Sequence, residues 1–400
     1  MLSAVTEQGK KICLFEHWSW DELTALRKKE VFYCAVCKHR VQLRLGKKKR
    51  FHFSHVQDAT CDVEMEHESM YHLEGKLQLY YWLKNQGIEV EIEKYLPTIK
   101  QRPDLYFMYQ NKPVALEYQC SLMSQSTLLK RTSMYREQGI YPLWILGGNM
   151  LKQKKHSFFS LSNFQSMFAT YYHKQMQVLY YCSDTKAFLH ITPLYPFSKM
   201  TALAELHSSP AESIPLFSLF EPKPTSLYMH HQQWCAKQRK WRMYMHQTNN
   251  RQSKQLLRFL YENHFSYIPP QACVPLASSF FIESAPYVWQ SYVYIDMIKR
   301  RKIGECITIF QLYRYFFSQV RKGIISLRQL PLIEESAYTI AIDEYVLFLV
   351  EAGVLVKRNE TTYEKMHEPS VPSCLQEIFS QDSDMVKRAL YIEQRNKCAH

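Results

Sequence analysis

Glycine is scarce in this 400-residue chain, with 10 copies in all, and no internal repeat or low-complexity tract is present, which excludes collagen-like and glycine-rich linker architectures. Long apolar runs are lacking too. The longest, Tyr345 to Val356, is interrupted by Glu351, and the opening MLSAVTEQGKKICLF has no apolar core of a signal peptide, so neither a membrane span nor secretion is expected. The cysteines number 11, an odd count, and only Cys34 and Cys37 stand at a recognisable spacing. That excludes a disulfide scaffold and places the expected home in a reducing, cytoplasmic compartment. Acidic residues are in deficit, 37 against 50 Lys and Arg for a net charge of +13, which favours a polyanionic partner such as nucleic acid, with a membrane surface as rival.

What is present suffices for several cores. With 46% hydrophobic residues over this length, two or three domains are expected. Prolines cluster at Pro193, Pro196, Pro210, Pro215, Pro222 and Pro224, a stretch that reads as a linker. The expected organisation is an N-terminal segment over residues 1–65, a mixed strand and helix domain over 66–150, a connecting region over 151–225, and a mostly helical, aromatic-rich domain over 226–400. The fold class is α+β / α/β.

Cys34-x2-Cys37 is followed by His52-x2-His55, and two such pairs can close a tetrahedral zinc site. A segment this small has little core of its own, so a structural metal would supply folding free energy on the order of 10 kcal/mol. Cys61 and His39 are substitute ligands. The competing reading is a pair of thiols on a hairpin with ordinary strand histidines. Lys48, Lys49 and Arg50, in the basic run beginning at Lys47, lie within the same loop and suit phosphate contacts or simple solvation.

From Ile88 the pattern IEVEIEK alternates as a half-buried strand, and RPDLYFMY and KPVALEYQC follow as two further strands joined by a tight hairpin. A Gln110-Asn111 loop sets Asp104 opposite Glu117; an Asn111-Lys112 loop sets it opposite Gln119. Alternation gives Ala115, Glu117 and Gln119 one face and Val114, Leu116 and Tyr118 the other. Two carboxylates at such a distance repel and resist desolvation, so they need a raised pKa or a cation, and magnesium with its preference for oxygen suits them. The competing reading makes Glu117 a surface glutamate and Asp104 a turn residue after Pro103. Upstream, a helix over Glu66 to Asn85 carries Glu68, His72, Gly75, Leu79, Trp82 and Leu83 on one stripe. Downstream, SQSTLLKRTSMYREQG reads as a helix with Leu128, Arg131 and Tyr135 on one face, and YPLWILGG as a buried strand parallel to the previous one.

Helix, three meandering strands, helix, strand, with Asp on the second strand and Glu-x-Gln on the third, resembles the PD-(D/E)XK nuclease superfamily, a restriction-endonuclease-like αβββαβ domain. The runs YCAVC, HFSH at His52 to His55, ESMYHLEGK, RPDL, ALEYQCS, and RTSMYREQG followed by YPLWIL narrow the resemblance to the competence protein CoiA family over residues 30 to 150. By that resemblance Asp104 and Glu117 are ligands for Mg2+ or Mn2+, Gln119 occupies the usual lysine position, and Glu68 and His72 match the first-helix motif. Arg131 and Tyr135 are implied as supporting residues on the DNA side. A glutamine cannot supply the positive charge that a lysine gives the attacking water or the phosphate. The resemblance further implies a role in natural transformation after DNA uptake, on single-stranded or branched DNA, beside recombination proteins such as RecA. A divalent-metal nuclease is one implied function; a catalytically silent single-stranded-DNA-binding adaptor is the other.

In the C-terminal half, Trp234 to Arg258 interleaves Lys237, Arg239, Lys240 and Arg242 with Trp234, Trp241 and Tyr244, a pattern suited to single strands or to a plain amphipathic helix. SFFIESAPYVWQSYVYIDMI reads as core. TIAIDEYVLFLVEAG followed by a hairpin around Asn359 is winged-helix-like, or equally a helical packing domain.

Overall fold

The computed structural model describes residues 1–14, 18–46, 51–56, 69–155, 157–221, 223, 227–247, 250–333, 338–369, 372 and 374–398. The chain forms two compact units. The first comprises Met1–Leu151, Leu179–His190 and Ser208–Glu221, and the second Lys152–Val178, Ile191–His207 and Pro222–His400.

The first unit opens with β1 (Ser3–Thr6), β2 (Lys11–Cys13), α1 (Trp20–Lys29), β3 (Phe32–Tyr33), β4 (Arg40–Arg44) and β5 (His52–His55). Ser19 starts α1 through a capping box with Glu22. The five strands pair antiparallel in the order β2-β1-β3-β4-β5. Alternation sorts the side chains of β4: Val41 and Leu43 join Ile12, Leu23, Phe32 and Phe53 in a small core, and Arg40, Gln42 and Arg44 face solvent.

Next come α2 (Met70–Lys84), β6 (Val90–Ile92), β7 (Leu105–Tyr109), β8 (Lys112–Gln119), α3 (Gln125–Glu137) and β9 (Tyr141–Gly147), the expected αβββαβ order. Ser69 caps α2 by accepting a bond from the His72 amide. Gln110 and Asn111 both adopt positive φ, +48° and +60°, which is what a two-residue hairpin matched to the sheet twist demands. The register follows from that turn: Tyr109 pairs with Lys112 and Leu105 with Leu116, so one step further Asp104 stands against Glu117. β9 then runs parallel to β8 after the α3 crossover. Each face of β8 is covered. Leu116 and Tyr118 share a core with Leu73, Leu79 and Leu83 of α2, whereas Ala115 packs with Tyr135 of α3 and Ile140.

The proline-rich stretch expected to be a linker is strand as far as Pro210; Pro215 precedes a short 3-10 helix, and Pro222 and Pro224 lie outside the described residues. Gln175–Cys182, Ala187–Ser198 and Thr201–Pro210 are sheet strands, with Pro193 and Pro196 inside the second and Pro210 ending the third. The prolines remove ladder donors, but the aromatic and β-branched residues flanking them on the same strand, Phe188, Ile191, Thr192, Tyr195 and Phe197, are buried, and that packing outweighs the lost bonds.

In the second unit the helices Leu227–Tyr244, Arg251–Glu262, Pro286–Val293, Ile309–Arg321, Tyr338–Glu351 and Leu375–Cys398 surround one aromatic core containing Trp289, Phe316, Tyr345 and Phe348. The run from Ser279 supplies much of it, as expected. Cys306–Thr308, Thr362–Lys365 and Leu355–Lys357 form a three-stranded antiparallel sheet beside two of these helices, a winged-helix-like arrangement. The chain continues past the hairpin into the last helix, so this unit is not the terminus.

Gly75 sets how closely α2 approaches β8. A Cβ added there would lie 2.2 Å from Cε1 of Tyr118, a buried ring that also donates to the Tyr181 carbonyl at 3.0 Å. Gly75→Ala should therefore destabilise by about 1–3 kcal/mol despite alanine's helix preference. A lowered urea midpoint is the expected readout; an unchanged or raised one would show that the helix can shift freely.

Candidate active site

Asp104 lies just before β7, and its backbone carbonyl accepts a bond from the Glu93 amide at 3.1 Å. Its carboxylate is heavily engaged. Oδ2 takes the Tyr118 amide at 2.9 Å and His72 Nε2 at 3.2 Å, and Oδ1 takes Lys76 Nζ at 3.1 Å. Lys76 is 0% exposed and donates on its other side to Glu93 at 2.9 Å. Glu93 in turn accepts from the Leu2 and Ser3 amides and from the Ser3 hydroxyl, with Arg102 at 3.8 Å. Burial alone would push Asp104 up, but Lys76, His72 and the Tyr118 amide outweigh it and hold the carboxyl well below the usual range. Glu93 is depressed likewise, with Lys76 and Arg102 overcoming its burial.

Glu117, on the opposing strand, points toward α3. Its Oε1 accepts from Arg131 and from the Tyr135 hydroxyl at 2.5 Å. Arg131 also donates from Nε to Gln101 at 3.1 Å and lies over the Trp144 ring at 5.4 Å. Burial raises the Glu117 pKa and the charge of Asp104 adds to the rise, against the opposing pull of Arg131 and Tyr135. The Gln119 amide donates to the Ser121 carbonyl at 2.9 Å.

The expected need for a raised pKa or a cation is met within the chain: Lys76 and His72 serve Asp104, Arg131 serves Glu117, and burial raises the Glu117 pKa. Acceptor positions nevertheless remain. A carboxylate offers about four lone-pair positions. Asp104 uses three, and both bonds to Glu117 fall on Oε1, with none to Oε2 among the described residues. That donor set fits an oxygen-seeking ion that keeps most of its waters. Glu68 lies outside the described residues.

Lys76 and Glu93 were not singled out by sequence. Lys76 sits one turn beyond His72 on the same helical stripe, a findable signal. Glu93 read as outward by strand alternation, but β6 stops at Ile92 and Glu93 has φ +48°, which breaks the alternation. Lys76→Met should cost about 3–5 kcal/mol by stranding two buried carboxylates. Their contribution is fully present above about pH 5 and is lost as pH falls through their depressed values. Wild type should thus lose stability on acidification more steeply than Lys76→Met; parallel pH profiles would contradict the pairing.

In the N-terminal sheet, the ligand atoms of Cys34, Cys37 and His55 lie within 4.8 Å of one another, with Cys37 Sγ 3.2 Å from His55 Nε2. They form a group able to hold a metal ion. His52 does not join them, because residues three apart on a strand face opposite ways: His52 shares its face with Ser54, and His55 with Phe53. The paired-histidine expectation fails on that parity. His39 is exposed and its carbonyl accepts from the Cys34 amide, whereas Cys61 lies outside the described residues, as do Lys48, Lys49 and Arg50. Burial, together with the charges of Arg102, His39 and the N-terminus, lowers the His55 pKa and favours the neutral ring that a metal requires. Purified protein should hold about one equivalent of zinc. Elemental analysis should find it lost from Cys37→Ser and His55→Ala and kept in His52→Ala; retention in His55→Ala would refute the grouping.

The C-terminal basic residues are dispersed in role. Lys237 covers the rings of Phe158 and Phe197 at 4.4 and 5.1 Å, Arg239 covers Phe379 at 4.9 Å, and Lys240 is exposed. Arg242 is buried in a double hydrogen bond with Asp382, both at 2.7 Å. Trp234 is 1% exposed, and Trp241 packs on Tyr287 with centroids 4.2 Å apart. Neither indole is presented as a free stacking platform, whereas Tyr244, the third ring of the stretch, is 51% exposed.

An αβββαβ unit with an acidic residue at the head of its second strand, opposed to one on its third, has the arrangement of a nuclease-like domain. Family models agree along the chain: the competence protein CoiA nuclease-like domain matches residues 68–224, its N-terminal domain 15–64 and its C-terminal domain 229–379. The competence protein CoiA of Bacillus subtilis (strain 168) is 30% identical over 373 residues, which cover 92% of this chain and 96% of that protein. The chain belongs to the competence protein CoiA family. No solved structure gives a significant match.

Proposed function

We propose that this chain serves natural transformation by processing incoming DNA in the cytoplasm, as a divalent-metal-dependent nuclease acting on single-stranded or branched substrates beside recombination proteins such as RecA. The observation that carries this reading is the placement of Asp104 against Glu117 within the nuclease-like domain. Among the described residues no helix is long and apolar enough to cross a membrane.

Asp104 and Glu117 Oε2 would hold Mg2+ or Mn2+. Such an ion polarises a phosphate and lowers the pKa of an attacking water. Lys76 and His72 keep Asp104 ionised and fix its orientation; Arg131 and Tyr135 fix the Glu117 rotamer. Gln119 carries no charge. Arg131, with a side chain 18% exposed beside Glu117, is placed to give positive charge to a phosphate oxygen in its stead.

The adaptor reading draws support from the same chemistry: carboxylates already neutralised by resident cations need no metal to be stable. Digestion of labelled single-stranded, duplex and branched DNA with Mg2+ or Mn2+ separates the two. Asp104→Ala and Glu117→Ala should each lower cleavage about 10²-fold or more, with DNA binding intact. Wild type that cuts nothing with either ion, yet is still required for transformation, would leave the adaptor.

A further inference from the structure

A second surface, remote in kind from the carboxylates, lies on the solvent face of the N-terminal sheet. Arg40, Gln42 and Arg44 alternate outward along β4. The register sets Gln42 beside Ser54 and Arg44 beside His52 on β5, and Arg40 beside Tyr33 on β3, so one face carries all six. Arg27 of α1 borders the same concavity, whose volume is about 1130 Å³. Arg44 Nε donates to the Ser54 hydroxyl at 3.0 Å, which holds its guanidinium against the sheet with the remaining donors outward. Among the described residues none of Arg27, Arg40 and Arg44 is paired with a carboxylate, and all three are exposed. Glu30 is the one carboxylate among the described residues lining that concavity, so the three guanidiniums leave the face with a net positive charge.

We infer that this face binds the backbone of a single-stranded nucleic acid. Arg40 and Arg44 stand about 13 Å apart along the strand, at roughly 3.3 Å per residue, so they meet two separate phosphates rather than one. Glutamine, serine and histidine between them offer hydrogen bonds to sugar and phosphate oxygens, and Tyr33 adds a ring beside Arg40 for an unstacked base. The inference rests on the nucleic-acid reading above only for its choice of ligand. Its residues and its test are independent of Asp104.

The test is fluorescence anisotropy of a labelled oligothymidine titrated with the full-length chain in EDTA, so that no cleavage intervenes, at several salt concentrations. Each phosphate contact on a single strand contributes about 0.7 to the slope of log K against log salt. Arg40→Gln with Arg44→Gln should weaken binding and reduce that slope by about 1.4, with zinc content unchanged. Gln42→Glu, which keeps both arginines, should weaken binding by adding a negative charge, and it carries the test if the double variant loses its fold. An unaltered slope and affinity in both face variants, or no binding by wild type at low salt, overturns the inference, and equal affinity for a blunt duplex overturns the choice of single strand.

Discussion

Everything around the candidate site depends on one buried cation. Lys76 enters the interior with no exposure and bridges Asp104 to Glu93, so a single ammonium settles two carboxylates that are otherwise hard to desolvate. Glu93 passes that constraint to the N-terminal strand through the Leu2 and Ser3 amides, and Asp104 passes it to β8 through the Tyr118 amide. The N-terminal segment, helix α2 and the central hairpin are thereby tied at one point. Removing a member would leave its partners charged and unpaired, which is why deletion of Asp104 should not relieve strain, as bare carboxylate repulsion would suggest.

The two acidic residues have unequal environments. Lys76 and His72 hold the Asp104 carboxyl well below the usual range against its burial, whereas Glu117, deeper and shared with Arg131 and Tyr135, is pushed upward by burial. An asymmetric pair of this kind suits a centre in which one carboxylate is permanent and the other responds to an arriving ion. The charge missing at Gln119 is not missing from the neighbourhood, since Arg131 stands beside Glu117 from the adjoining helix.

Much of this was legible in the sequence. The αβββαβ order follows from periodicity, and turn chemistry narrows the hairpin to two loops, of which Gln110-Asn111 opposes Asp104 to Glu117 and Asn111-Lys112 opposes it to Gln119; both signals are local. The Cys34-x2-Cys37 spacing was legible for the same reason. Three things were not. His52 looked like a ligand by spacing, but β5 is a strand, and parity turns its ring away from His55. Pro193 and Pro196 looked like punctuation, but buried aromatics overrode them. Glu93 looked solvent-facing, but a single positive φ turned it inward to Lys76. Burial overrode the local rule at Pro193 and Pro196, whereas at His52 and Glu93 the local backbone, strand parity and one positive φ, set the side chain's direction against the spacing.

The most direct measurement is anomalous diffraction from crystals of the chain soaked in Mn2+. A metal-dependent site predicts a peak shared by the Asp104 and Glu117 carboxylates, with Lys76 still bridging Asp104 to Glu93, and loss of that peak in Glu117→Gln. No peak there at saturating Mn2+, with Arg131 and Tyr135 unmoved on Glu117, would contradict it.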